Sequence, residues 1–510
     1  MKRILFALLL APPASLQAAD AARTAGQETP QAGPLIPLTE AASPATPSAV
    51  DDSLAADPAA LKRWQDMRFG MFIHWGPVSL TGQELGWSRG TAMPVETYDN
   101  LYKQFNPEKF NADEWVSIAK AAGMKYIVLT AKHHDGFCLW DTKLTDYNIM
   151  NTPFKRDVVK ELAAACQKQG LAFGAYYSVP DWYHENWPDA GPDLATEGPP
   201  PVGTDWTAGR AIYRQNIAKY RAGLGKHLRA TADVDAYEKY LQGQITELIE
   251  NYGPLLTIWS DLSSPFDVRT FGQRGRNTIR LIRSLQPDIL INNRSGADYP
   301  HGGDYATPEQ KVGDFDMDRR WESCITVSKH NQWAWGGPGD GVKSTGECLK
   351  MLINTAGGDG NMLLNVGPRP DGLIDPEQAD VIKGIGAWLA NYGESIYGTR
   401  GGPFKPGEWG VSTRKDSRIY LHVFKFDGDT LELPAIPAKV TAARVLSGGS
   451  VEFKQSDQGI TLTVPTANHD AMNTLIALDL DKPAIEIATL EVRNADPMAS
   501  ERPFSAEAVR

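Results

Sequence analysis

Cysteine is scarce in this sequence: four residues in 510, at Cys138, Cys166, Cys324 and Cys348, and no two of them form a CxxC pair. That spacing argues against a zinc site, and a chain this long does not need a disulfide framework. Cys138, in FCLW, and Cys166, on an apolar helical face, read as packed thiols. No GxGxxG or P-loop pattern follows any apolar run, which weakens a nucleotide-binding reading. There is no basic run either, and the formal net charge is −11, so no nucleic-acid partner is expected. Long apolar stretches are also missing. The first, Ile4 to Ala11, is too short to cross a bilayer, and no membrane-spanning segment is expected.

That first run does have a reading. Lys2 and Arg3 precede it and small residues surround Ala18 and Ala19, as in a bacterial export signal over residues 1–19. No cysteine follows, so a lipid anchor is not expected, and the mature protein is expected in the periplasm or outside the cell. Residues 20–57 are rich in Ala, Pro, Thr and Ser without apolar period, the composition of a disordered linker.

From Trp64 the texture changes. Apolar runs at 69–75, 125–130, 172–178, 255–261, 288–293 and 361–366 are short, continuous and rich in β-branched or aromatic residues, as buried parallel strands should be. Helical patterns lie between several of them. Asn111 and Glu114 form a capping-box pair before the face Trp115, Ile118, Ala119, Ala122, and Gly123 ends it. Val158, Val159, Leu162 and Cys166 repeat the pattern up to Gly170, and Asp375-Pro376 opens a third helix with Ile382, Ile385, Leu389 and Tyr392 on one side. Strand–helix alternation over 58–398 predicts an α/β fold of the (β/α)₈ barrel type, with the two remaining strands placed near Gly313–Asp316 and Ser323–Val327. Residues 184–234 interrupt the rhythm and read as an inserted loop. Five short apolar or alternating runs within 399–485 predict a small C-terminal β-sandwich, followed by a tail at 486–510.

The chemistry-bearing residues gather after the strand ends: His74, His133 and His134, Tyr176, Asp261, and Arg294. In a barrel those ends converge on one face. Asp261 closes the run LLTIWSD, where a carboxylate would be held rigidly; a turn or N-cap aspartate is the plainer alternative. Strict alternation would point His133 and His134 apart, so both reach one ligand only where the strand end bends. They and Asp135 are metal-ligand types, but adjacent residues make a poor chelate, and no metal is expected. The 14 Trp and 17 Tyr suit sugar faces as well as cores.

Read together, RFGMFIHWG (68–76), YDNLYKQFNPEKF (98–110), the segment YIVLTAKHHDGFCLW through KEL (126–162), INNR (291–294), TPEQ (307–310), RWESC (320–324), AGGDGNMLLNVGPRPDG (356–372) and GAWLANYGESIYGTRGGPF (386–404) closely resemble the α-L-fucosidases of glycoside hydrolase family 29. The resemblance implies an exo-acting, retaining enzyme that needs no cofactor and acts on a fucosylated oligosaccharide or glycoconjugate. It implies that His74, Glu84, His133, His134, Tyr176 and Arg294 hold the fucose and that Trp75 and Trp259 form part of its wall. It also implies that Asp261 is the nucleophile and that Glu309 is the acid/base, with Glu322 as its rival. The chain departs from the family in Ser260-Asp261-Leu262, where the turn after the nucleophile differs. The alternatives are a fucose-binding protein without catalysis and a metal-dependent hydrolase using His133 and His134.

Overall fold

A computed structural model describes residues 54–195, 215–220, 228–261, 268–296 and 303–492, with only the backbone for 268–271. The segment read as an export signal, most of the linker, the middle of the insertion and the end of the tail lie outside the described residues. The last four residues assigned to the linker are not loose. Leu54 and Ala56 are buried, and the Ala56 amide donates to Asp304 at 2.9 Å.

Seven parallel strands form one sheet: β1 (Phe69–Ile73), β2 (Tyr126–Lys132), β3 (Ala172–Ser178), β4 (Thr257–Asp261), β5 (Leu290–Ile291), β6 (Glu322–Thr326) and β7 (Asn361–Val366). They run in the order β5-β4-β3-β2-β1-β7-β6. The runs are continuously apolar because both faces are covered. Met71, Ile73, Ile127, Leu129 and Ile258 pack outward with the helices, while Phe72, Val128, Tyr176, Trp259 and Leu363 form a separate interior cluster.

The sheet's two edges are joined by residues 304–310. Tyr305 bridges Asn292 beyond β5, Ala306 bridges Trp321, and Glu309 bridges Cys324 of β6, all in parallel sense. This irregular stave completes the barrel. Of the two strands placed from the sequence to close it, Ser323–Val327 corresponds to β6, but Gly313–Asp316 forms no strand. Gly313 instead lies against the Trp321 ring, with its amide bonded to Ser323 Oγ. The true closing segment carries Pro308 and pairs through single bridges, so it has no strand-like pattern to read.

The helices begin and end where the local chemistry directs. Asn111 Oδ1 accepts the Glu114 amide to start Ala112–Ala121. Asp157 caps Val158–Gln169, which stops at left-handed Gly170, and Asp375 caps Pro376–Tyr392. Beyond Gly398 the chain forms two antiparallel sheets: β8 (Arg400–Gly401), β9 (Gly410–Lys415), β10 (Arg418–Val423), β12 (Val440–Val445) and β15 (Thr474–Leu480) in one, and β11 (Thr430–Leu433), β13 (Glu452–Ser456) and β14 (Gly459–Thr463) in the other. Ile419, Leu421, Ile476 and Leu478 from the first share a core with Leu431, Leu433, Ile460 and Leu462 from the second, so the domain is a sandwich. The sandwich's packing continues past 485, because Ile487 is buried and Leu490 bridges Phe404.

Candidate active site

The site lies at the carboxyl ends of the barrel strands, and a bulge builds it. The β2–β3 register shifts between Thr130 and Lys132. Lys132 turns behind the sheet, where its Nζ pairs with Asp181 and Tyr177 Oη at 3.0 Å each. The extra residue lets His133 and His134 approach the same pocket against strict alternation. His133 stacks on Tyr176 with ring centroids 5.4 Å apart and lies 5.7 Å from His74. His134 sits between Trp87 and Trp182, and its Nε2 is 3.6 Å from Asp261 Oδ2.

Burial keeps these rings neutral: it lowers His74 to about 3 and His134 to about 4, and drives His133 well below the usual histidine range. Their tautomers follow from their partners. Ser178 Oγ donates its proton to Pro180 O, so at 2.6 Å it accepts from His134 Nδ1–H. Asn365 donates its amide to Trp333 O, so its Oδ1 accepts from His74 Nδ1–H at 2.7 Å. Each ring therefore keeps Nε2 as a bare acceptor, suited to a sugar hydroxyl.

Asp261 ends β4 and is buried. Tyr176 Oη donates to its Oδ2 at 2.8 Å and Arg294 Nη1 reaches its Oδ1 at 3.4 Å. The other end of the same guanidinium pairs with Glu309 Oε2 at 2.9 Å. Arg294 is braced from below by Thr307, through Oγ1 at 2.8 Å and the backbone carbonyl at 3.0 Å. Burial opposes its charge, but Asp261 and Glu309 more than offset this and raise its pKa. The Glu309 side chain is 40% exposed, in contrast to Asp261. Glu309 thus reaches solvent at the barrel mouth.

Trp259 lies under this group. Its ring stacks on Tyr176 at 5.5 Å and the Arg294 guanidinium sits 5.1 Å above it. The structure separates the two rival carboxylates here. Glu322 starts β6, in the barrel interior, with Oε1 accepting the Trp259 indole N–H at 3.1 Å and Oε2 accepting from Tyr126 Oη. It is buried beneath the pocket floor rather than beside Asp261. Trp75 belongs elsewhere too. One position after inward-facing His74, it faces the helices, packed on Phe105, Phe110 and Trp115 with its indole bonded to Arg369 O. Trp75 therefore does not line the pocket.

Glu84 is buried, and its two oxygens accept the amides of Leu85, Trp333 and Ala334 at 2.9–3.1 Å. Burial still pushes it up to about 7. It thereby fixes Trp333, whose ring centroid lies 4.7 Å from that of His74. Trp333 has no periodic context in the sequence and sequence reasoning missed it. The Tyr98–Asp135 pair was missed as well. Tyr98 Oη donates to Asp135 at 2.6 Å and accepts the Gly86 amide at 2.8 Å, tying the Glu84 loop to the turn that carries the histidines. Gly86 needs to be glycine: its φ is +66°, and a Cβ there would lie 2.5 Å from His133 Nδ1. Among the described residues no group of three His, Cys, Asp or Glu is arranged to hold a metal ion.

A family model for α-L-fucosidase matches residues 38–394. Human plasma α-L-fucosidase is 29% identical over 402 residues, 72% of this chain and 77% of that protein. Rat tissue α-L-fucosidase is 27% identical over 450 residues, 80% of this chain and 87% of that protein. Among solved structures, α-L-fucosidase isoenzyme 1 from Paenibacillus thiaminolyticus superimposes with a TM-score of 0.70 at 33% identity, covering 83% of this chain and 99% of that one. A family 29 α-L-fucosidase from Bacteroides thetaiotaomicron, trapped as a covalent intermediate with 2-fluoro-fucosyl fluoride, gives 0.69 at 26% identity over 84% of this chain and 97% of that one. The match spans most of the chain, and the chain belongs to the α-L-fucosidases of glycoside hydrolase family 29, enzymes that hydrolyse fucosides.

Proposed function

We propose that this enzyme removes terminal α-L-fucose from glycans or glycoconjugates by double displacement with retained configuration. Asp261 attacks the anomeric carbon as Glu309, in its protonated form, gives its proton to the leaving oxygen. Water, deprotonated by Glu309, then displaces Asp261 and releases L-fucose. The observation that carries this reading is the single guanidinium of Arg294 spanning Asp261 and Glu309 at the barrel mouth. His74 and His134, each presenting a bare Nε2, accept sugar hydroxyls, and Trp333, beside His74, supplies apolar surface for the methyl of a 6-deoxy sugar. The charged start and apolar run at residues 1–19 support export, with the enzyme acting in the periplasm or outside the cell.

The test is Asp261→Gly. It should lose nearly all turnover of an aryl α-L-fucoside, and azide should restore part of it with formation of β-fucosyl azide, because the small anion enters from the face the carboxylate occupied. An Asp261→Gly protein that turns over without azide would remove Asp261 from the nucleophile role.

A further inference from the structure

The catalytic reading uses Asp261, Glu309 and Arg294 but leaves a third carboxylate unexplained. Glu322 is buried in the barrel interior beside Tyr126, Trp259, Trp64 and Tyr305. Among the described residues no cation pairs with it. Its hydrogen bonds go to the Trp259 indole N–H at 3.1 Å and the Tyr126 hydroxyl. Burial pushes its carboxyl up to about 7, with Tyr126, Trp259 and Trp64 pulling the other way. Burying a carboxyl in an apolar interior is unfavourable, so apolar packing alone would favour a leucine here.

What the carboxylate does is hold one edge of Trp259. The indole has a single polar atom, and Glu322 accepts its hydrogen. The faces of the same ring carry Phe72 at 5.1 Å, Tyr176 at 5.5 Å with planes 19° apart, and the Arg294 guanidinium at 5.1 Å. Tyr176 and Arg294 are in turn two groups that bond Asp261. A rotation of the indole would therefore displace both. We propose that Glu322 is a positioning residue that fixes the plane of Trp259 from inside the barrel, and through it the seats of Tyr176 and Arg294 around Asp261. This rests on Asp261 being the nucleophile.

Three variants test it. Glu322→Leu should lower kcat/KM for aryl α-L-fucosides by roughly 10- to 100-fold, since a small misplacement of catalytic groups costs about that much. The loss should be the same for good and poor leaving groups. Glu322→Gln keeps a carbonyl for the indole and an amide that can donate to Tyr126, so it should recover turnover to within about 3-fold of wild type. Tyr126→Phe removes the other hydrogen bond to this carboxylate without touching the indole. It should lower Tm but leave kcat/KM at the wild-type value. In ¹H–¹⁵N spectra the Trp259 indole cross-peak, assigned with Trp259→Phe, should stay protected from exchange in Glu322→Gln and lose protection in Glu322→Leu.

Wild-type turnover from Glu322→Leu would overturn the proposal. So would a Tyr126→Phe loss as large as that of Glu322→Leu, which would mark a general packing defect. A loss confined to poor leaving groups would return Glu322 to the acid/base role. Should Glu322→Leu fail to fold, Glu322→Gln, Tyr126→Phe and the cross-peak decide on their own. The indole spectrum needs no turnover, so a wild-type protein inert on fucosides would refute the fucosidase mechanism while the anchor is still judged.

Discussion

The two ends of the barrel each bury a cluster of charge, and they are built on opposite terms. At the amino ends of β1 and β7, Asp359 is saturated. Its Oδ1 accepts from Arg68 at 2.7 Å, Arg400 at 2.9 Å and the Gly401 amide at 3.0 Å, while Oδ2 takes Arg400 and Gln65. Arg68 spends its remaining donors on the carbonyls of Gly360 and Thr399. Burial alone would raise Asp359, but Arg68 and Arg400 hold it below the usual carboxylate range. At the carboxyl ends, Asp261 accepts from Tyr176 at 2.8 Å and has longer contacts of 3.4 Å to Arg294 and 3.6 Å to His134. Beside it, His134 Nε2 is buried without a hydrogen-bond partner among the described residues. A saturated cluster locks the sandwich strand β8 onto the barrel. An unsaturated one keeps hydrogen-bonding capacity for a ligand, at a cost in stability.

This contrast is open to attack from both ends. The largest expected effect is on turnover at the mouth. Asp261→Gly should lose on the order of 10⁴-fold in kcat, as loss of a catalytic carboxylate does in other hydrolases, with Tm unchanged or raised. A large fall in Tm would mean that the mouth is a structural cluster after all. Glu309→Gln should slow release of a sugar alcohol by about 10²–10⁴-fold. It should spare fucosylation by aryl fucosides with acidic phenols, leaving deglycosylation rate-limiting. Measuring kcat/KM against leaving-group pKa checks this, and a flat plot would reject Glu309 as the acid.

At the other end the signs exchange. Asp359→Ala leaves Arg68 buried and unpaired and should cost about 3–5 kcal/mol of stability. Denaturant unfolding measures that, and kcat on an aryl fucoside well below Tm should stay unchanged. A large loss of turnover in a folded Asp359→Ala protein would break the division of labour.

The smallest effect is in pH. Glu322 rises on folding from an ordinary glutamate value to about 7. Its contribution to stability is thus fully present below about 4.5 and is lost as pH rises through about 7. Glu322→Gln has no such loss. The Tm of Glu322→Gln relative to wild type should therefore climb between about pH 5 and 7.5, by at most about 3 kcal/mol in stability. The groups facing it, Tyr126 and Tyr305, are both raised well above the ordinary tyrosine range and do not titrate in this window. His74 and His134, depressed to about 3 and 4, act in the opposite sense in both proteins and cancel in the difference. A difference in Tm that stays flat with pH would show that Glu322 does not ionise in this range.

Much of this was legible in the linear sequence. Continuous apolar runs marked six barrel strands because parallel strands buried on both faces must be apolar throughout. Caps at Asn111 and Asp375 marked helix starts because the signal is local, a side chain bonding an amide two or three residues on. Asp261 stood out at a strand end for the same reason of locality. What tertiary structure alone decided depends on atoms far apart in the chain. The stave at 304–310 is a strand only by virtue of the two edges it joins. A one-residue bulge in β2 brought both histidines to the pocket, and strict alternation sent Trp75 away from it. Glu309 and Glu322 are both glutamates beside a tryptophan or proline in sequence. One lies at the mouth on Arg294 and the other beneath Trp259, because Glu309 pairs level with Cys324, two residues further along β6 than Glu322, and depth in a barrel is a property of register that no local pattern records.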